Sequence, residues 1–151
     1  MEHSLRAMVP ADLDAARRII TATGLFPAEL LADMVAPAFA GADERWIVAV
    51  AEGVTGLAYA APERLTNGTW NALLLAVDPE HHGRGIGRAL MAHLETTLAG
   101  LARILLVETS GLPELARTRG FYERIGYRRV ATIPDFYDGG DDKIVFWKSL
   151  G

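Results

Sequence analysis

The sequence predicts an α/β chain built on a single central mixed sheet, mostly antiparallel and twisted, of about seven strands with four helices. Two observations carry this. Apolar runs of strand length alternate with stretches whose apolar residues recur at helical spacing, in the order β-α-α-β-β-β-α-β-α-β-β. In addition, the run LLLAV at residues 73–77 passes through a short polar elbow and three alternate glycines directly into an amphipathic segment, which is the layout of a strand-to-helix crossover. A length of 151 residues fits one domain, expected to span residues 1–151, and no repeat or linker-like tract divides it.

Each element has its own signal. Residues 4–8 read as a short strand. Pro10-Ala11-Asp12 opens a helix, with proline in the first turn and an acid at the positive end of the helix dipole; Leu13, Ala16, Ile19 and Ile20 make its apolar stripe and Gly24 stops it. A second helix runs from Phe26-Pro27 to about Phe39, with Leu30, Leu31 and Met34 facing inward and Pro37 and Gly41 closing it. Residues 46–51 and 55–61 form an antiparallel hairpin around Glu52-Gly53-Val54. Asn67-Gly68 turns the chain into a strand over 70–77, whose apolar run has the character of a strand buried on both faces, and Asp78-Pro79 ends it.

Ile86, Leu90, Met91, Leu94 and Leu98 form the stripe of a third helix that stops near Gly100. Residues 103–108 (RILLVE) are another buried strand, parallel to 70–77 because a helix connects them. Leu112-Pro113 opens the fourth helix, with Leu115, Thr118, Tyr122 and Ile125 on one face and Gly126 at its end. The last strands, 127–133 and 143–147, are joined by a loop, PDFYDGGDD.

Composition excludes several functions. With 15 Lys and Arg against 19 Asp and Glu, a net charge of −4, the chain lacks the basic footprint of a nucleic-acid binder. No apolar run approaches the ~18 to 20 residues of a membrane span, and the N-terminus lacks a cationic-then-apolar leader, so a cytoplasmic protein without a membrane partner is expected. The absence of cysteine removes disulfides, a thiolate nucleophile and thiolate metal ligands. His3, His81, His82 and His93 show no metal-ligand spacing, so no metal is expected.

The chemistry points to the elbow. A helix start leaves backbone N–H groups unpaired and carries partial positive charge, which suits a phosphate. Gly83, Gly85 and Gly87 let the backbone come close to such a group, and Arg84 and Arg88 add cations. A tight turn alone would also use the glycines. A dinucleotide-binding unit is a rival, because a strand, Gly83-x-Gly85, a helix and a strand ending at Glu108 imitate one. Against it stand the position of the third glycine, the five residues between Val77 and Gly83, and the hairpin that precedes the unit. A kinase-type phosphate loop lacks its GK[ST].

Two motifs together resemble the GCN5-related N-acetyltransferase (GNAT) family. The first is Val77-Asp78-Pro79 followed by His82-Gly83-Arg84-Gly85-Ile86-Gly87, against the family's Arg/Gln-x-x-Gly-x-Gly/Ala; the second is Phe121-Tyr122-Glu123-Arg124-Ile125-Gly126-Tyr127. The resemblance implies the acyl-CoA N-acyltransferase fold, acetyl-CoA as cosubstrate and no metal. It implies that His82, Gly83, Arg84, Gly85, Ile86, Gly87 and Arg88 hold the coenzyme diphosphate through backbone N–H groups, with the pantetheine arm along Ala76 and Val77 like an added strand. It also implies that Tyr122 protonates the departing thiolate. His82 stands where arginine or glutamine is usual, and Leu115 where many members carry asparagine.

The reaction implied is attack by a neutral primary amine of a small molecule or peptide, which requires a base. Glu108, at the carboxyl end of a crossover strand, is the candidate base, although it also reads as a solvated strand end or a helix cap. Without a cysteine, direct transfer in a ternary complex is expected. Four acids around two aromatics in 135–142 suggest that Asp135, Tyr137 and Asp138 line an acceptor pocket and attract a cation, while a solvated hairpin loop reads equally from the same residues. A non-catalytic acyl-CoA sensor on the same fold remains the rival from another class. A homodimer is the default expectation for assembly.

Overall fold

The computed structural model describes residues 3–151. Its elements are β1 (Ser4–Ala7), α1 (Leu13–Thr23), α2 (Leu31–Phe39), β2 (Arg45–Val50), β3 (Val54–Pro62), β4 (Thr69–Val77), α3 (Ile86–Thr97), β5 (Ile104–Ser110), α4 (Ala116–Arg124), β6 (Arg128–Asp138) and β7 (Asp141–Ser149). Single 3₁₀ turns, Pro10–Asp12, Ala28–Leu30 and Pro113–Leu115, lead into α1, α2 and α4. The seven strands make one sheet in the order β1-β2-β3-β4-β5-β7-β6. β4 and β5 pair in parallel, while β1–β2, β2–β3, β5–β7 and β6–β7 pair antiparallel, so the predicted fold class and element order hold.

The chain divides into two compact units. The first runs up to Ala61 and includes Leu73–Thr97. Its core joins Ala16, Ile19 and Ile20 of α1 and Leu31 and Val35 of α2 to Trp46, Val48, Leu57, Leu74 and Ala76 of the strands. The α3 stripe Ile86, Leu90, Met91 and Leu94 is buried as its spacing predicts. A Cβ at Gly56 would meet Leu90 Cδ1 at 2.9 Å and Ile86 Cγ2 at 3.1 Å, so glycine on β3 is what lets α3 lie this close to the strand. β1 is tied to the turn before α1 by Arg6, whose Nη1 and Nη2 donate to the two Asp12 carboxylate oxygens at 2.8 and 2.9 Å.

The second unit comprises Pro62–Ala72 and Leu98–Gly151. Leu105 and Val107 of β5, Ile144 and Phe146 of β7, and Tyr122 of α4 are buried in it. Glu108 lies opposite Val145, and Ser110 opposite Lys143.

Five local expectations are corrected. Leu30 is 48% exposed, and Leu31 and Val35 take the inner side of α2; the 3₁₀ turn over residues 28–30 shifts the helical phase before the α-helix begins. Pro37 sits inside α2 without ending it. Leu73 is 51% exposed, so the apolar run of β4 is buried on one face only, with Leu74 and Ala76 inside. The stretch 135–142 is mostly strand, because β6 runs to Asp138 and β7 starts at Asp141, leaving Gly139-Gly140 as the turn. Thr118 also faces solvent, and Tyr122 is the buried residue of α4.

Candidate functional site

The elbow follows β4 in the first unit. Asp78 N–H donates to Thr55 O at 2.9 Å, and Asp78 Oδ1 accepts from Glu80 N–H at 3.0 Å, which caps the single turn Pro79–His81. His82 Nε2 lies 3.1 Å from Val77 O. A carbonyl can only accept, so Nε2 carries the proton and donates. Gly83 and Gly85 have φ of 77° and 76°, the left-handed region that favours glycine, and open space surrounds both. Gly87 instead lies within α3.

Ala89 N–H reaches Gly85 O at 3.0 Å. By helix geometry the N–H groups of Ile86, Gly87 and Arg88 therefore have no carbonyl of their own helix to reach. The Arg84 and Arg88 side chains are exposed while Ile86 anchors the turn in the core at 2% exposure. The elbow thus offers backbone donors, the positive end of a 12-residue helix and two free-standing cations, a set that fits a diphosphate. Along the end of β4 the alternation of exposed Leu73 with buried Leu74 and Ala76 leaves an apolar row accessible.

In the second unit, Glu108 Oε1 accepts from Lys143 Nζ at 3.0 Å, and the same ammonium stands 3.6 Å from the centroid of the Phe136 ring. Tyr137 is half-exposed; partial burial, and then the charges of Glu108 and Asp141, push its phenol up from the ordinary value. The hairpin acids serve the hairpin itself. Asp135 Oδ1 accepts from Gly140 N–H at 2.8 Å, Asp138 Oδ1 from Gly139 N–H at 2.8 Å, and Asp142 Oδ1 from Asp135 N–H at 2.9 Å, while Ser110 Oγ donates to Asp141 Oδ1.

Tyr122 is 7% exposed and ringed by Phe121, Tyr127 and Phe146 at centroid distances of 5.1, 6.0 and 5.9 Å. Burial pushes its phenol up to about 12, so it stays protonated throughout the neutral range. Within this unit the structure brings Glu108, Phe136, Tyr137, Asp141 and Lys143 together, whereas the carboxylates of Asp135 and Asp138 point into the turn. Lys143 escaped the sequence reading; a lysine two residues from Val145, which lies opposite Glu108, becomes visible only once the β5–β7 register is known.

Among the described residues no cluster of three or more His, Asp or Glu side chains could hold a metal ion, and no helix is long and apolar enough to cross a membrane. Residues 42–129 match the family model of the acetyltransferase (GNAT) domain, which is more than half of the chain. The chain belongs to the GNAT family. The matched span contains the elbow, Glu108 and the Tyr122 signature, and excludes the 135–142 hairpin.

An uncharacterised N-acetyltransferase of Methanocaldococcus jannaschii is 33% identical over 81 residues, covering 54% of this chain and 52% of the relative, so the match spans about half the length of that curated relative. A solved putative GNAT-family acetyltransferase from Desulfovibrio desulfuricans is 33% identical and superposes with a TM-score of 0.89, covering 99% of this chain and 100% of that one. A putative acetyltransferase from Salmonella typhimurium, solved with its cofactor acetyl-CoA, shares the fold at 19% identity and a TM-score of 0.80, covering 100% of this chain and 95% of that one.

Proposed function

We propose that the protein is an acetyl-CoA-dependent N-acetyltransferase acting on a primary amine of a small molecule or peptide by direct attack in a ternary complex. The observation that carries this is the elbow: left-handed glycines at 83 and 85 deliver α3 with free first-turn N–H groups and exposed Arg84 and Arg88, in a chain of the GNAT family. Backbone N–H groups beyond His82, over residues 83–88, hold the diphosphate, because His82 N–H is bonded to Pro79 O, and the pantetheine arm lies along the end of β4 at the backbone of Ala76 and Val77. Acetyl-CoA supplies the acyl group in activated form as a thioester.

The remaining steps belong to this chain's residues. Glu108 takes the proton from the acceptor nitrogen, which frees the lone pair that attacks the acetyl carbonyl. Backbone N–H near Ala76 or Val77 stabilises the charge developing on the carbonyl oxygen. Tyr122 donates its phenolic hydrogen to the departing sulfur. A phenol near 12 is a weaker acid than an ordinary thiol near 8.5, so hydrogen-bond donation to the thiolate is favourable and complete proton transfer is uphill. Asp135 and Asp138 attract a cationic acceptor through the negative charge they give the hairpin, acting at a distance because their Oδ1 atoms are bonded to Gly140 and Gly139 N–H groups, and the half-exposed Tyr137 lines the acceptor pocket.

Thermal-shift measurements with acetyl-CoA and with NAD, followed by an amine panel with detection of released thiol, test the assignment. Stabilisation by acetyl-CoA alone and amine-dependent thiol release support it. Stabilisation by NAD, or thiol release that ignores every amine, contradicts it.

A further inference from the structure

We propose that Lys143 is the positioning residue for Glu108, holding one carboxylate oxygen so that the other faces the acceptor amine; this rests on Glu108 being the base. Glu108 lies opposite Val145 on β7, and Lys143 is two residues along from Val145, so the strand alternation puts Glu108 and Lys143 on one face. Their charged atoms meet at 3.0 Å. The side chains are 12% (Lys143) and 28% (Glu108) exposed, so the pair is more sheltered than a surface contact between two mobile side chains.

Two features make the pairing selective. The Phe136 ring stands 3.6 Å from Nζ, so an aromatic face and Oε1 together fix the ammonium. The neighbouring acids that could compete for Lys143 are engaged elsewhere: Asp141 by Ser110 Oγ–H, Asp142 by Asp135 N–H, Asp135 by Gly140 N–H and Asp138 by Gly139 N–H. Phe136 itself is placed by an irregular stretch of β6. Ile133 pairs with Lys143 and Asp138 with Asp141, so five residue steps on β6 (133 to 138) answer two on β7 (143 to 141). The extra residues bulge and carry Phe136 and Tyr137 to the Glu108 end of β5.

A glutamate has three rotatable bonds, and a base that wanders among rotamers is in reach of the acceptor only part of the time. A clamp on Oε1 removes that freedom without touching the substrate. Its loss therefore lowers turnover and leaves binding nearly unchanged.

Steady-state kinetics on wild type, Lys143→Met, Lys143→Arg, Glu108→Gln and the Glu108→Gln/Lys143→Met double variant test this, with melting curves for each. Lys143→Met is expected to lower kcat about tenfold, with acceptor KM and acetyl-CoA Kd within about twofold, and Lys143→Arg to recover to within about threefold. In the Glu108→Gln background Lys143→Met is expected to do nothing further, because it acts through Glu108. Equal losses in both backgrounds, or full activity of Lys143→Met beside an impaired Glu108→Gln, overturn the clamp alone. Wild-type turnover by Glu108→Gln overturns the base assignment and the clamp with it. If Lys143→Met does not fold, Lys143→Gln takes its place with the same expectations.

Discussion

His82 turns its ring back on the strand that precedes it, donating from Nε2 to the Val77 carbonyl at 3.1 Å. The residue that departs from the usual family motif thus closes the elbow, and the anion is left to the backbone N–H groups beyond it. His82→Gln, which keeps a donor, is expected to hold coenzyme A with a Kd within about twofold of wild type, and His82→Leu to weaken it about fivefold, the worth of one hydrogen bond. Isothermal titration decides; a tenfold loss with Gln would mean that the ring itself meets the diphosphate.

The glycines divide by conformation. Gly85 has a φ of 76°, so Gly85→Ala strains the backbone by about 1–2 kcal/mol and is expected to lower Tm by several degrees. Gly87 is helical, and alanine there favours the helix, so Gly87→Ala is expected to keep or raise Tm while weakening coenzyme A more than about tenfold by blocking its approach to the backbone. Paired melting and titration experiments separate the two effects.

Asp12 is buried, bonded twice by Arg6 and once by Val9 N–H at 2.9 Å, and the Arg6 hydrogen bonds hold its carboxyl below the usual value. A depressed carboxyl contributes stability that is present above its unfolded value of about 3.9 and is lost as pH falls below it. Asp12→Asn is expected to cost about 1–3 kcal/mol near neutrality and to flatten the fall in the urea midpoint between about pH 5 and 3.

The Tyr122 phenol, raised to about 12 by burial, gives the opposite sign. Its contribution is complete below the unfolded value of about 10 and is lost as pH rises through about 12. Phenolate absorbance should show a tyrosine ionising near pH 12, and that step should vanish in Tyr122→Phe.

The elbow was legible because a strand end, left-handed glycines and a helix start are local features that residue identity dictates. The element order followed from periodicity for the same reason. Leu30 misled because a 3₁₀ turn and an α-helix share an apolar pattern but differ in phase. The acidic stretch 135–142 read as a loop by composition, yet Asp135 at φ 56° and the side-chain bonds to Gly139 and Gly140 N–H groups fold those acids into a two-residue turn between strands. The Glu108–Lys143 pair lay out of reach because its partners are 35 residues apart (143 − 108) and meet only through strand register.

The most direct measurement is the rate of amine-dependent thiol release from acetyl-CoA by wild type and by Tyr122→Phe, with acetyl-CoA Kd taken on both. Release is expected to be matched one for one by N-acetylated amine and to fall about a hundredfold in Tyr122→Phe at unchanged Kd. Tight acetyl-CoA binding with no amine-dependent release, or an unaltered rate in Tyr122→Phe, would contradict it.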